Sequence, residues 1–240
     1  MARQRGENVL SVLMSWLLRG LMVIGGIVLV YEGVPVALAA FQAQKSDAVV
    51  MKLRRVIQMT VPDAAAGIEA LNRAVVLNPV ASRYLLRSEL EGGAALTQTL
   101  NISINYRTLW LRRAKADLEL GLTHAPVRSI DWLRLAVTQQ GLDGASREVV
   151  GSLLMSIRTG PWLEPAFSVR LRLILDNWAY FSDAQKDEMR KYVVEMWRHS
   201  HDHIFFGSNV LSPVDEVIIR NLLKDEPGAQ EILTKWILAK

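Results

Sequence analysis

From Val9 to Tyr31 the chain is almost wholly apolar, broken only by Arg19 and small polar residues, with Arg3 and Arg5 before it and Glu32 after it. About 23 residues at 1.5 Å each reach about 34 Å, enough for a hydrocarbon core of ~30 Å. Beyond this stretch apolar positions recur at three- and four-residue steps, the period of an amphipathic helix, and no long run alternates as a β-strand would. The pattern predicts an all-α chain. Residues 1–40 form a cytoplasmic tip and a transmembrane or signal segment, and residues 41–240 form one helical domain.

The flanking arginines place the N-terminus in the cytoplasm and send everything after Tyr31 across the membrane. Arg19 is costly near a bilayer centre unless it snorkels to the headgroups, where Trp16 also suits the interface. A cleavable signal is the alternative, with Leu21 to Val30 as its apolar region, Pro35 as a helix breaker and Ala37-Leu38-Ala39 as a small-x-small cleavage site. The first reading gives a single-pass inner-membrane protein with a periplasmic domain, and the second a soluble periplasmic protein beginning after Ala39. A core helix of a cytoplasmic adaptor is a third reading.

Three later segments end alike: Leu71-x2-Ala74-Val75-x3-Pro79, Leu118-x2-Gly121-Leu122-x3-Pro126 and Leu153-x2-Ser156-Ile157-x3-Pro161. Leucine and small residue share a helical face, and the proline falls where a helix has just stopped. Six residues past each proline a large apolar residue, Leu85, Trp132 or Phe167, opens a second amphipathic segment, so the unit is helix, turn, helix. Smaller residues, Gly67, Ala114 and Val149, precede the three leucines.

Over Asp63 to Trp178 this arrangement resembles the tetratricopeptide repeat, with extra residues between the first two units in Gly92 to Asn105 and a departure at Arg170, where that family favours an apolar residue. The resemblance implies a short right-handed stack of antiparallel helix pairs over residues 63–178, with a groove that binds a protein or peptide. An ordinary helical bundle explains the same spacing without repetition.

In residues 182–240, Ser182 to Gln185 reads as a capping box ahead of a helix whose apolar face carries Met189, Tyr192, Val193, Met196 and Trp197. Gly207-Ser208-Asn209 reads as a loop and Ser212-Pro213 as a helix start, followed by an apolar stripe of Val214, Val217, Ile218 and Leu222. After Pro227-Gly228 come Ile232, Leu233, Trp236 and Ile237. These last helices are expected to cap the open end of a stack.

Composition narrows the chemistry. There is no cysteine, which excludes disulfides, thiolate metal sites and cysteine nucleophiles. The net charge of +4 is spread through amphipathic segments, so no nucleic-acid partner is expected. No phosphate loop, nucleophile elbow or dinucleotide fingerprint occurs, and neither cofactor nor catalysis is expected. Asp187-Glu188 and Asp215-Glu216 stand near helix starts, where the macrodipole favours them.

One cluster could hold a metal. If its helix continues, Glu195, His199 and His203 share a stripe at four-residue steps, with His201 and Asp202 between, although the general-base glutamate of HExxH is missing. That makes an exported metal-binding protein or enzyme the alternative function, against histidines that only suit a helix C-terminus. The groove implied by the repeat resemblance would be lined by Arg83, Arg87, Asp131, Arg134 and Arg170, whose cationic character suits an acidic peptide or an anionic polymer, unless these residues merely solvate an outer face. The expected function is therefore a membrane-anchored scaffold or adaptor binding a partner protein in a cell-envelope assembly, with surface-polysaccharide synthesis the favoured setting by analogy.

Overall fold

The computed structural model describes residues 2–55, 57–97, 100–199 and 212–238, which are helical with no strand among them. Helix α1 (Ala2–Gln44) is unbroken for 43 residues, about 64 Å at 1.5 Å per residue. Within it Trp16–Gln44 is long and apolar enough to cross a membrane by length and composition. Pro35, expected to break a helix, lies inside it; proline removes one i→i−4 hydrogen bond and the helix runs on. The last turns of α1 belong to the folded domain, because Ala39 is fully buried and Ala43 packs on the first core cluster. The expected boundary at residue 40 and the possible cleavage site Ala37-Leu38-Ala39 therefore both fall within this one helix.

A tight turn at Lys45 and Ser46 leads into α2 (Asp47–Arg54), followed by α3 (Val61–Leu77), α4 (Ala81–Leu96), α5 (Ile104–His124), α6 (Ser129–Asp143), α7 (Arg147–Thr159), α8 (Phe167–Asp176) and α9 (Asp183–His199). Two further helices, α10 (Pro213–Leu222) and α11 (Ala229–Leu238), complete the described chain.

The three prolines stop three helices in the same way. A residue before proline is pushed out of the α region by the ring. Asn78 (φ −152°, ψ 96°), Ala125 (φ −141°, ψ 65°) and Gly160 (φ −170°, ψ 74°) all adopt extended φ at the ends of α3, α5 and α7. The motif residues all face inward: Leu71, Leu118 and Leu153 are fully or almost fully buried, and so are Ala74, Gly121 and Ser156 three residues on. Each leucine contributes about 2–3 kcal/mol of burial.

The small residues set the helix spacing. A Cβ at Gly121 would lie 2.5 Å from Cδ2 and 2.7 Å from Cγ of Leu85, and one at Gly67 would lie 2.8 Å from Leu90 Cδ2, so α5 and α3 approach α4 as closely as only glycine permits.

Consecutive helices α3 to α7 pack as neighbours, and α4, α6 and α8 also touch one another in sequence. Glu89 meets Arg134 between α4 and α6, and Lys115 meets Glu148 between α5 and α7. Among the described residues the core falls into separate clusters, one around Ile68, Leu71 and Leu90, one around Leu85, Leu118 and Leu135, and a larger one around Leu153, Ile174 and Met196.

The extra residues between the first two units are partly helix: Gly92 and Gly93 lie inside α4, and the connection itself is short. The capping box at Ser182 forms, with Ser182 N donating to Gln185 Oε1 at 2.9 Å. All five expected apolar residues of α9 are buried. The stripe of α10 differs from expectation. Val214 and Val217 are exposed and the packed face is Ile219, Leu222 and Leu223, because Asp215 must turn inward both to cap the helix and to meet Arg172. Gly207-Ser208-Asn209 and the side chains of Arg3, Arg5, Trp236 and Ile237 lie outside the described residues.

Candidate functional site

The helices that follow the proline turns, α4, α6 and α8, meet the end of α2 around an open groove of about 400 Å³. Its walls are mainly apolar: Leu53, Leu96, Ile130, Leu133, Val137 and Val169. Its floor comes within reach because α4 carries no side chain at Gly92 and Gly93. A Cβ on Gly93 would lie 2.5 Å from Leu53 Cδ2, so glycine there lets α2 close one wall.

A chain of ion pairs edges the groove. Arg54 grips Glu89 with two hydrogen bonds, Nε to Oε1 at 2.7 Å and Nη2 to Oε2 at 2.8 Å. Arg134 Nη2 adds a third contact to Glu89 at 3.0 Å, and its Nη1 donates to Asp131 Oδ1 at 2.8 Å. Arg128 reaches the other oxygen of Asp131. Burial alone would raise the Glu89 carboxyl, but the hydrogen bonds and charges of Arg54 and Arg134 outweigh it and hold it below the ordinary carboxylate range. The groove is thus an apolar channel with a charge-compensated rim.

Of the five residues expected to line a groove, the structure brings only Arg134 into this one. Arg83 donates to Asn78 O at 2.8 Å, bracing the first proline turn. Arg87 is committed to Asp117 and Asn72. Two corrections follow from burial. Asp131 is fully enclosed and serves as the anchor for Arg128 and Arg134 rather than as a partner contact.

Arg170 is fully buried as well. Its Nη2 donates to Ser156 O (2.9 Å), Gly160 O (2.9 Å) and Ser129 Oγ (2.7 Å), and its Nη1 to Tyr192 Oη (3.0 Å) and Pro161 O (3.2 Å). It therefore caps the carbonyl end of α7 from α8, which explains an arginine where an apolar residue was expected.

No protein-family model matches the chain, and no curated protein and no solved structure matches it either. The groove must be judged on its own geometry.

The groove residues missed from sequence include its aliphatic walls and the charged pair Arg54 and Glu89. These two lie 35 positions apart and on different helices, and nothing local in the sequence pairs them. The strongly shifted carboxyl among the described residues is Glu91, pushed up to about 7 by burial and then by Asp117. It does not line the groove; its side chain is enclosed within the stack.

At the end of α9, His199 Nδ1 lies 2.8 Å from Glu195 O and 3.8 Å from Glu195 Oε2, and its ring packs on Trp162 with centroids 4.5 Å apart. His201, Asp202 and His203 lie outside the described residues, among which no group of three metal-ligating side chains occurs. A second hollow of about 350 Å³ lies between Arg147, Tyr180 and Gln185, where α7 and α9 begin.

Proposed function

We propose that the protein is a membrane-anchored helical-repeat scaffold that holds an apolar segment of a partner protein in the groove between α2, α4, α6 and α8. The observation that carries this reading is the groove itself, open and walled by aliphatic side chains, with each arginine on its rim already neutralised by a carboxylate. Such a channel favours an apolar or amphipathic helix over a strongly anionic polymer, since helix-in-groove recognition reads apolar anchors at helical spacing.

The repeated extended residue before each proline, the inward leucine and small-residue pairs, and the contacts among alternate helices support a tetratricopeptide-like stack as the scaffold. The arginines ahead of α1's apolar stretch support a cytoplasmic N-terminus and a periplasmic domain on the inner membrane. A cell-envelope assembly, with surface-polysaccharide synthesis foremost, is the setting that fits an anchored adaptor of this size.

A photoreactive residue at Val137 tests the groove in intact cells. The expected result is an adduct with one envelope protein that disappears when Val169→Trp, at an exposed position of the wall, fills the channel, and none from the same residue at the exposed Val217. An adduct that survives filling, or equal labelling at Val217, overturns the reading.

A further inference from the structure

Lys52 Nζ lies 3.0 Å from Asp63 Oδ2, and a Cβ at Gly67 would lie 3.3 Å from Val49 Cβ, so α2 runs antiparallel to α3. Because α2 continues from α1 across a single turn, the same register carried back along α1 brings the buried Ala39 level with the end of α3, near Leu77. The first proline turn therefore sits beside the stretch where α1 enters the domain.

The other two turns lie at the same end. Arg87 opposite Asp117 together with Leu85 against Gly121 makes α4 and α5 antiparallel, and Ser129 opposite Ser156 together with Gln139 opposite Glu148 does the same for α6 and α7. Glu89 with Arg134, and Gly92 against Thr138, make α4 and α6 parallel. The three turns present apolar tips: Val76 (83% exposed) and Val80 at the first, Val127 (76%) at the second, and Trp162 (52%) at the third.

At this same level α1 keeps an apolar outer face. Val34, Val36, Leu38 and Phe41 are exposed, and Lys45 Nζ stands 4.8 Å over the Phe41 ring. Arg19 stands over Trp16 in the same way, at 5.9 Å. Glu32 ends the apolar stretch, so a hydrocarbon core of ~30 Å closes near Tyr31, and the headgroup layer, roughly 5–8 Å deep, takes about the next five residues of α1. Phe41 and Lys45 then stand beyond that layer, and the turn tips, level with Pro35 to Ala39, meet it from its outer side. Ile104 and Tyr106 are also exposed, at the opposite end of the stack, so exposure alone does not select an edge; the level of α1 does.

We infer that the proline-turn edge rests on the headgroup layer of the bilayer that α1 crosses, with Val76, Val80, Val127 and Trp162 as its lipid contacts. The inference depends on α1 being a membrane span. It makes the domain lie on the membrane, held at two places, rather than swing from a tether. Arg128 and Arg158 flank the turns, each already paired with a carboxylate, so the apolar tips dominate the contact.

The chain has no cysteine, so single cysteines at Val28, Val127, Trp162 and Asp143 can each carry one fluorophore in the full-length protein reconstituted into phosphatidylcholine–phosphatidylglycerol vesicles. The labels at Val127 and Trp162 are expected to be quenched by headgroup-level nitroxide lipids, at about half or more of the extent seen at Val28 with mid-chain nitroxide lipids. The label at Asp143, at the far end, should be quenched by neither. If Val28 is quenched and the turn labels behave like Asp143, the span stands and the docked edge is overturned. Turn labels shielded from an aqueous quencher but untouched by lipid nitroxides mean that protein covers the edge, which also overturns it. A label at Val28 that no lipid quencher reaches overturns the span and the docked edge together.

Discussion

Arg87 holds Asp117 in a two-pronged grip between α4 and α5, with Nε to Oδ2 and Nη2 to Oδ1 both 2.6 Å. The pair is largely buried, and its geometry leaves the neighbouring carboxylate behind: Glu91, one turn along α4 from Arg87, is fully enclosed and neither of its oxygens has a hydrogen-bond partner among the described residues. Burial, and then the charge of Asp117, push its carboxyl up to about 7, against the weaker pull of Arg87 and Arg113.

That shift fixes the sign of a pH effect. Between 4.5 and about 7 the folded state holds a proton on Glu91 that the unfolded chain releases, so this group's contribution to stability falls as pH rises through that window and is level above it. The whole effect is on the order of a few kcal/mol. Glu91→Gln keeps the shape without the charge, so it should raise the melting temperature at pH 8 and leave it nearly unchanged near pH 4.5. An equal change at both pH values would show that Glu91 is not the titrating group.

Arg170 joins four parts of the chain, since its guanidinium reaches Ser129 on α6, Ser156 and Gly160 at the end of α7, and Tyr192 on α9. These acceptors are neutral oxygens, and with Pro161 O three main-chain carbonyls face the guanidinium. Arg170→Met fits the space but leaves those carbonyls enclosed and unpaired, at a cost of about 3 kcal/mol or more. Arg170→Lys keeps the charge without the planar fork and should fall between the two. Urea unfolding measures the series, and an Arg170→Met chain as stable as the parent would show that water replaces the guanidinium.

Two helical glycines make opposite predictions for one substitution. At Gly121 a methyl group would collide with Leu85 Cγ and Cδ2, both enclosed in the core, so Gly121→Ala should destabilise by about 1–3 kcal/mol despite the gain in helix propensity. At Gly151, in the exposed face of α7, nothing lies within 4 Å of the same methyl, and Gly151→Ala should stabilise by about 0.5–1 kcal/mol. Thermal unfolding of both variants in one buffer checks the pair, and a matching sign would remove the argument that Gly121 is there for close approach.

The parts of this fold that were legible in the sequence are those written locally. Three prolines stop three helices, leucine and small residue three apart face inward together, and Ser182 with Gln185 announces a helix start that forms. What was not legible depends on pairings between helices. Glu89 becomes a groove residue only because Arg54 and Arg134 converge on it from α2 and α6. Asp131 and Arg170 look like surface charges by type and are enclosed, one by two arginines and the other by a helix end. In α10 the periodicity fitted two faces, and capping by Asp215 together with its pair to Arg172 decided which one packs.

The junction of α1 with the domain bears on whether the first 39 residues are kept. A peptidase needs an accessible, locally unfolded stretch, whereas the peptide after Ala39 lies in mid-helix with Ala39 fully buried and Ala43 packed against the first core cluster. A cut there would also strip cover from α3, whose Leu71, Ala74 and Val75 are buried in the intact chain. The mature protein is therefore expected at the mass of the full chain and in the membrane fraction. A version starting at Ala40 should unfold at lower urea than a version starting at Tyr31, which keeps the whole contact while lacking most of the apolar stretch. A native chain trimmed after Ala39, with the two shortened versions equally stable, would show that α1 serves only to deliver the domain.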